Sequence, residues 1–219
     1  MNEFTIDTSG HILSGPKSHR FHMGAEGWGL TGPDPSSDPS GAFYATDSRD
    51  RLYKLDPSDL FSESDSVLAS KQPVQITDPR LRGLYQHSGS AFPILGVNEL
   101  EMVDSEVWGN LYPMYEGSSS ECLVRMEPKT GLVQGWVDLT GLLSKQSDEV
   151  KRQARNYVLN GIAYNEQTGL MLVTGKEWEF LYEIEIVPST LNEQQSVDWV
   201  KTNCGLGNPA RSRHRFARG

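Results

Sequence analysis

The sequence predicts an all-β protein, and more specifically a β-propeller, from two observations. The first is a series of short apolar or alternating runs, rich in Val, Leu, Ile, Tyr and Trp and bounded by Gly, Pro, Asp or Ser. Such runs are typical of strands joined by tight turns. The second is that the runs recur in the same order three times, which indicates a repeat architecture. The runs occupy residues 41–47, 51–55, 106–111, 122–126, 132–139, 170–174 and 180–187.

Each of the three repeats opens with a strand that carries Trp or Asn near its start, at Trp28, Asn98 and Asn160. A second strand with a polar end and then a third strand follow in every repeat. In a propeller the blades surround a central channel, which the first strand of each blade lines. We therefore expect these three side chains to converge on one axis. The alternative is a β-sandwich whose strands resemble one another by chance.

Signals for helices and loops are few. Residues 144–156 predict one short, exposed helix, because Ser147 is followed by Asp148, Glu149 and Lys151. The Pro- and Ser-rich residues 33–40 predict a solvated loop between two strands. The arginine-rich residues 211–219 predict a frayed terminus.

The composition is that of an acidic chain of ordinary domain size, with 219 residues, a formal net charge of −9 and 37% hydrophobic residues. This balance argues against a surface for nucleic acid or anionic membranes, because both require clustered positive charge. No run approaches the roughly 18 apolar residues that a membrane span needs. The first ten residues lack the apolar core of a secretory signal. The sequence therefore predicts neither nucleic acid nor a membrane span, and it leaves the compartment open.

Cysteine and histidine do not predict a metal site. Cys122 and Cys204 are too few for a disulfide framework or a cysteine-rich zinc site. A single bridge between them is the less favoured alternative, and we expect free thiols. His19 and His22 lack a neighbouring carboxylate or cysteine that completes a ligand set. We expect no metal and no cofactor, and the chain has neither a Gly-x-Ser-x-Gly elbow nor a Gly-rich phosphate loop.

Seven motifs follow one another between residues 27 and 186: Gly27-Trp28-Gly29-Leu30, Leu52-Tyr53 with Asp56-Pro57, Val97-Asn98-Glu99-Leu100-Glu101, Glu106-Val107-Trp108-Gly109-Asn110, Gly135-Trp136-Val137-Asp138-Leu139, Leu159-Asn160-Gly161-Ile162-Ala163 and Val173-Thr174-Gly175-Lys176-Glu177-Trp178. This succession closely resembles the plant and bacterial type of glutaminyl-peptide cyclotransferase. The resemblance implies a five-bladed propeller that converts the N-terminal Gln of a peptide to pyroglutamate and releases ammonia, without a catalytic zinc. Its partners would be peptides or proteins that begin with Gln.

The resemblance also implies which residues form the site. In this family the substrate's α-amine attacks its own γ-carboxamide carbon, so the site must hold these groups together and stabilise an oxyanion with fixed donors. Lys176 is the implied cationic donor, and Asn98 is the implied holder of the reacting carboxamide. Tyr112 stands where the family commonly has a second cage Trp. The implied substrate-binding residues are Trp28, Tyr112, Asn160 and Glu99.

These side chains also have purely structural explanations. Trp28 between two glycines is compatible with a core aromatic. Asn98 and Asn160 are compatible with buried amides that satisfy backbone groups. Lys176 is equally consistent with a solvated strand end, although burial of an unpaired lysine there would be costly.

The chain departs from the family pattern near its start, because it lacks a Phe-Thr-Gln-Gly motif and the Gly-Glu-Gly motif that carries the family's catalytic glutamate. The spacing of the repeats is too long for five blades in 219 residues, so we expect an N-terminally incomplete propeller of about three blades plus part of another. The expected units are a blade remnant at 1–26, blades at 27–93, 94–156 and 157–187, and a closing segment with the tail at 188–219. The alternative to a cyclotransferase is an inactive propeller fragment that binds peptides or proteins.

Overall fold

The chain folds mostly into antiparallel sheets with few helices. The computed structural model describes residues 2–3, 17–18, 26–33, 40–57, 73–82, 91–114 and 120–206. His19, His22, most of the predicted loop at 33–40 and the arginine-rich tail lie outside this part of the chain. No helix within the described ranges is long and apolar enough to cross a membrane.

The strands form three main sheets and two short pairs. A two-stranded pair joins β1 (Asn2–Glu3) to β2 (Lys17–Ser18). The first sheet contains, in spatial order, β3 (Gly27–Thr31), β4 (Phe43–Asp47), β5 (Arg51–Leu55) and β6 (Val74–Gln75). A second pair joins β7 (Thr77–Asp78) to β8 (Phe92–Pro93). The middle sheet contains β9 (Val97–Val103), β10 (Glu106–Leu111), β11 (Cys122–Met126) and β12 (Val133–Asp138). The third sheet contains β13 (Leu159–Asn165), β14 (Leu170–Gly175) and β15 (Tyr182–Ile184).

All seven apolar runs of the sequence contain strands, so that prediction is confirmed. The last run is the least accurate, because its strand covers only Tyr182–Ile184 and leaves Phe180 and Leu181 exposed. The first strands of the three repeats lie together, since β9 packs against both β3 and β13. The chain therefore brings the beginning of each repeat to a common region.

The middle sheet is buried on both faces. Val107 and Val124 belong to an apolar cluster shared with the first sheet, whereas their chain neighbours Trp108 and Leu123 belong to a cluster shared with the third sheet. A strand covered on both faces has no solvent side that requires polar residues, which explains the apolar residues Cys122, Leu123 and Val124 at the start of β11. The two apolar clusters thus meet in the middle sheet.

Two helices flank the sheets. Helix α1 (Asp148–Arg152) begins after Ser147, whose hydroxyl accepts the Val150 N–H, so the predicted short helix is confirmed. Helix α2 (Glu193–Asn203) was not predicted, because the segment was interpreted as a closing stretch without a helix. Its signal was a capping box in which the Asn192 and Gln195 side chains each accept the other's backbone N–H. Single turns of 3-10 helix occur at Pro79–Leu81 and Leu143–Lys145.

The expectation of free thiols is wrong. Cys122 and Cys204 form a disulfide with their Cα atoms 5.5 Å apart. Cys122 lies in β11 and Cys204 directly follows α2, and both are fully buried with Val200 in the apolar cluster between α2 and the sheets. The packing of α2 against the sheets places the two sulfur atoms within bonding distance. The cysteines are 82 residues apart in the chain, and this spacing does not predict a bridge.

Candidate functional site

The first strand of each repeat contains a bulge beside the predicted site residues. In β3 the pairing skips from Gly27 to Leu30, and in β13 it skips from Leu159 to Ile162. In β9 the skipped residue is Glu99. A bulge bends the strand and redirects the side chains next to it. The three bulges therefore set the directions of Trp28, Asn98 and Asn160.

Asn98 and Asn160 meet directly. The Nδ2 of Asn98 donates to the Oδ1 of Asn160 over 2.8 Å, and both residues are partly buried. The bond joins the bulges of the middle and third sheets, whose residues are 62 positions apart in the chain. It uses one of the two Nδ2 hydrogens of Asn98, so the other remains available to a ligand.

Trp28 and Tyr112 form an aromatic pair. Their ring centroids are 5.3 Å apart and the rings are nearly perpendicular, an edge-to-face arrangement. Tyr112 follows β10, and its backbone N–H donates to the carbonyl of Gly96, two residues before Asn98. The aromatic pair therefore lies at the same end of the middle sheet as Asn98.

Lys176 occupies a tight turn at the end of β14. Its backbone N–H donates to Val158, two residues before Asn160, so it lies at the same end of the third sheet. The Trp178 indole covers Gly175 and donates to the carbonyl of Tyr157, and a Cβ on Gly175 would collide with that ring. The Lys176 side chain is exposed, and its ammonium group pairs with no other residue in the described part of the chain.

Glu99 has an unusual backbone and a shifted pKa. Its φ is +48°, a conformation that is uncommon for a residue other than glycine, and the bulges of β3 and β13 carry Gly29 and Gly161 instead. Burial raises the pKa of the Glu99 carboxyl, and the negative charge of Glu101 raises it further. Burial also raises the pKa of Glu101, although an N–H donated by Tyr164 partly opposes this shift.

Asn110 is the residue of this region that the sequence reasoning did not single out. It lies opposite Asn98 in the pairing of β10 with β9, and it is only 1% exposed. Its Oδ1 accepts the backbone N–H of Gly161 over 3.1 Å, whereas its Nδ2 has no partner among the described residues. An amide at the polar end of a mostly apolar strand was the available signal, because buried polar side chains are normally satisfied by a specific partner.

The region thus combines two contacting amides, an aromatic pair and a half-buried carboxyl. An exposed lysine, Lys176, lies at the same end of the third sheet as Asn160. Amides and aromatic rings suit a small, uncharged polar group such as a carboxamide, because they offer hydrogen bonds and flat apolar walls. Within the described ranges, no three His, Cys, Asp or Glu side chains are arranged to hold a metal ion.

Comparison with known proteins gives one consistent result. A sequence model of the glutamine cyclotransferase family matches residues 11–186. The glutaminyl-peptide cyclotransferase of Arabidopsis thaliana is 30% identical over 203 residues, which are 92% of this chain and 51% of that protein. The crystal structure of Myxococcus xanthus glutaminyl cyclase matches with a TM-score of 0.53 and 28% identity, over 78% of this chain and 60% of that one. The chain therefore spans about half the length of the plant relative, and it belongs to the glutamine cyclotransferase family.

Proposed function

We propose that this chain forms the substrate-binding region of a glutaminyl-peptide cyclotransferase, which converts an N-terminal Gln of peptides to pyroglutamate and releases ammonia. The observation that carries the proposal is the hydrogen bond between Asn98 and Asn160, because it unites two family motifs far apart in the chain. The nearby Trp28–Tyr112 pair adds the aromatic wall that a Gln side chain requires.

We further propose that the three main sheets are blades of a five-bladed propeller, with β3, β9 and β13 along its channel. The packing of β9 against both β3 and β13 supports this arrangement. In such a fold the bulges of the three inner strands open towards one mouth of the channel, where a peptide terminus enters.

The reaction makes clear demands on these residues. The α-nitrogen forms a bond to the carboxamide carbon Cδ, the bond from that carbon to the amide nitrogen breaks, and a proton passes from the attacking to the departing nitrogen. In our proposal Trp28 and Tyr112 hold the Gln side chain in a folded conformation, which raises the effective concentration of the amine. Asn98 donates its second Nδ2 hydrogen to the carboxamide oxygen, and Lys176 closes over that oxygen when substrate binds.

Glu99 is assigned to the substrate's amino group. A carboxylate attracts the ammonium form of a peptide terminus, and the raised pKa of Glu99 brings its proton exchange nearer to neutral pH. The free amine, and not the ammonium ion, has the lone pair that attacks the carboxamide. Glu99 thereby links binding of the amine to its deprotonation.

The test is to incubate the purified chain with a peptide that begins with Gln and to follow loss of ammonia by mass spectrometry. The control peptide is identical except for an acetylated α-amine, which cannot cyclise in this way. We expect ammonia loss from the first peptide above its spontaneous rate without protein. A rate equal to the spontaneous one would refute the proposed activity.

The second candidate function is peptide binding without turnover. The observation that favours it is that the structure unites Asn98 with Asn160 but leaves the Lys176 ammonium without a partner among the described residues. Isothermal titration with both peptides separates the two functions. Binding of the Gln peptide with no ammonia loss supports the binding module.

A further inference from the structure

We propose that Asn110 is a positioning residue that sets the orientation of Asn98 through the bulge that carries Asn160. The inference rests on the proposed function, in which Asn98 binds the carboxamide of the substrate. It concerns a residue that ends one of the family motifs but that neither the resemblance nor the reaction assigned to the site.

A continuous series of contacts links the three amides. The Oδ1 of Asn110 accepts the N–H of Gly161 over 3.1 Å, which fixes the bulge of β13. The residue before Gly161 is Asn160, whose Oδ1 accepts from Asn98 over 2.8 Å. Asn98 in turn lies opposite Asn110 in the pairing of β9 with β10. A displacement of the Gly161 bulge therefore changes where the acceptor for Asn98 lies.

The other sheets show what is special about Asn110. Thr46 occupies the corresponding position of the first sheet, and its hydroxyl accepts the N–H of Gly29, which is the bulge residue of its own sheet. Asn110 instead holds the bulge of the next sheet. The side chain of Asn is one atom longer than that of Thr, and that reach is needed for a bond between sheets.

Because Nδ2 of Asn110 makes no hydrogen bond among the described residues, the role of this side chain depends on its Oδ1. The bond from Gly161 fixes which end of the amide is the acceptor, so the atom without a partner is a donor. Burial of a donor without an acceptor opposes folding. An apolar side chain of similar shape would remove that cost but would also release Gly161. Retention of such a group is expected where function constrains a residue more than stability does.

The test compares three variants of the full chain. Asn110→Leu removes the acceptor with little change in volume, and Asn110→Asp keeps an oxygen at the same reach. Ser120→Ala is the matched control, because it removes another buried hydrogen-bonding group without a partner, and Ser120 has no role in the proposed site. Thermal unfolding verifies that each variant is folded, and Asn110→Ala, which also removes the acceptor, serves if Asn110→Leu does not fold.

The first measurement needs no substrate. In protein labelled with ¹⁵N-Asn, the side-chain signals of Asn98 are identified by their absence in Asn98→Leu. We expect these signals to move in Asn110→Leu and to remain in place in Ser120→Ala, with a smaller change in Asn110→Asp. Unchanged Asn98 signals in Asn110→Leu, or in Asn110→Ala where Asn110→Leu does not fold, would overturn the proposal.

The second measurement uses turnover of the Gln peptide. We expect Asn110→Leu to lower kcat about tenfold with little change in KM, because a misplaced donor weakens stabilisation of the transition state. Asn160→Leu alone should lower kcat further, and the double variant should lose no more than Asn160→Leu alone, since Asn110 acts through the contact that Asn160 makes. Independent, additive losses would overturn the inference. Absence of turnover in the unaltered chain would refute the proposed function alone, because the NMR measurement still decides the positioning role.

Discussion

The middle and third sheets share one pattern of strands but differ in how they are covered. In the middle sheet, neighbouring residues of β10 and β11 point into two different apolar clusters, so both faces are buried. In the third sheet, Met171 and Val173 of β14 are buried, whereas Leu170 and Leu172, which alternate with them, are partly exposed. The third sheet thus shows the alternation of a strand with one covered face.

The candidate site lies across the boundary between these sheets. Asn98, Asn110 and Tyr112 belong to the middle sheet or its immediate continuation, and Asn160 and Lys176 belong to the third. The difference in burial suggests a division of roles between the sheets. Substitutions of buried apolar residues in the middle sheet should act mainly through stability, whereas substitutions of polar residues at the site should act mainly on turnover.

The largest expected effect concerns the disulfide that anchors α2 to the middle sheet. Replacing Cys122 and Cys204 together by Ala should lower the free energy of unfolding by about 4 kcal/mol, because the bridge closes a loop of 82 residues in the unfolded chain. Urea denaturation of both proteins, with and without reductant, measures the loss. Reductant should destabilise the unaltered protein and leave the double variant unchanged. A loss below about 1 kcal/mol would show that the bridge contributes little to the stability of the middle sheet.

A pair of leucines tests the burial difference directly. Leu123 and Leu172 lie in interior strands of the middle and third sheets, and Leu123 is fully buried whereas Leu172 is partly exposed. Leu123→Ala should lower the free energy of unfolding by about 3 kcal/mol, because it leaves a cavity among packed side chains. Leu172→Ala should cost less than about 1.5 kcal/mol, since part of the side chain already contacts water. Equal losses in urea denaturation would contradict the proposed contrast.

Lys176 provides the opposite test, in which turnover changes and stability does not. Lys176→Ala should lower kcat about a hundredfold through loss of a donor to the developing oxyanion. Its Tm should remain close to that of the unaltered protein, because the side chain is exposed. Lys129→Ala, at an exposed turn of the middle sheet, is the matched control and should change neither quantity. An unchanged rate in Lys176→Ala would remove this residue from the mechanism.

The features that could be predicted from the sequence are those with local signals. Strands were found because apolar runs and turn residues are read within a few positions, and the short helix was found from its cap at Ser147. The repeat predicted that Asn98 and Asn160 lie close together, because they occupy equivalent positions in the first strands of two repeats. Local periodicity and internal repetition therefore account for most of what was correct.

The features that were missed depend on tertiary contacts or on polar signals. The Cys122–Cys204 bridge exists only after α2 docks, so chain spacing cannot reveal it. Helix α2 is mostly polar and lacks a broad apolar stripe, which left its capping box as the main signal. Asn110 was recognisable as the polar end of a strand in one of the motifs, but its partner Gly161 lies in another sheet. The repeat shows Glu99 where the other two repeats have glycine, but the sequence does not predict that Glu99 has a positive φ.

The smallest expected effect on stability concerns Glu99, the bulge residue of β9 in the middle sheet, beside the candidate site. Burial raises the pKa of Glu99 in the folded protein, with a further rise from Glu101, so folding disfavours the ionised carboxylate. This penalty is absent below the unfolded pKa of about 4.3 and fully present above the folded pKa, so stability falls as pH rises through that interval.

Glu99→Gln removes the ionisable group and keeps the shape of the side chain. Its Tm should therefore exceed that of the unaltered protein at pH 7. The difference should disappear by about pH 3, where Glu99 is largely neutral in both the folded and the unfolded protein. Glu185→Gln makes the same charge change at an exposed position directly after β15 and serves as the control. Thermal unfolding from pH 3 to pH 8 measures both variants. A Tm difference that is independent of pH would show that folding does not raise the pKa of Glu99.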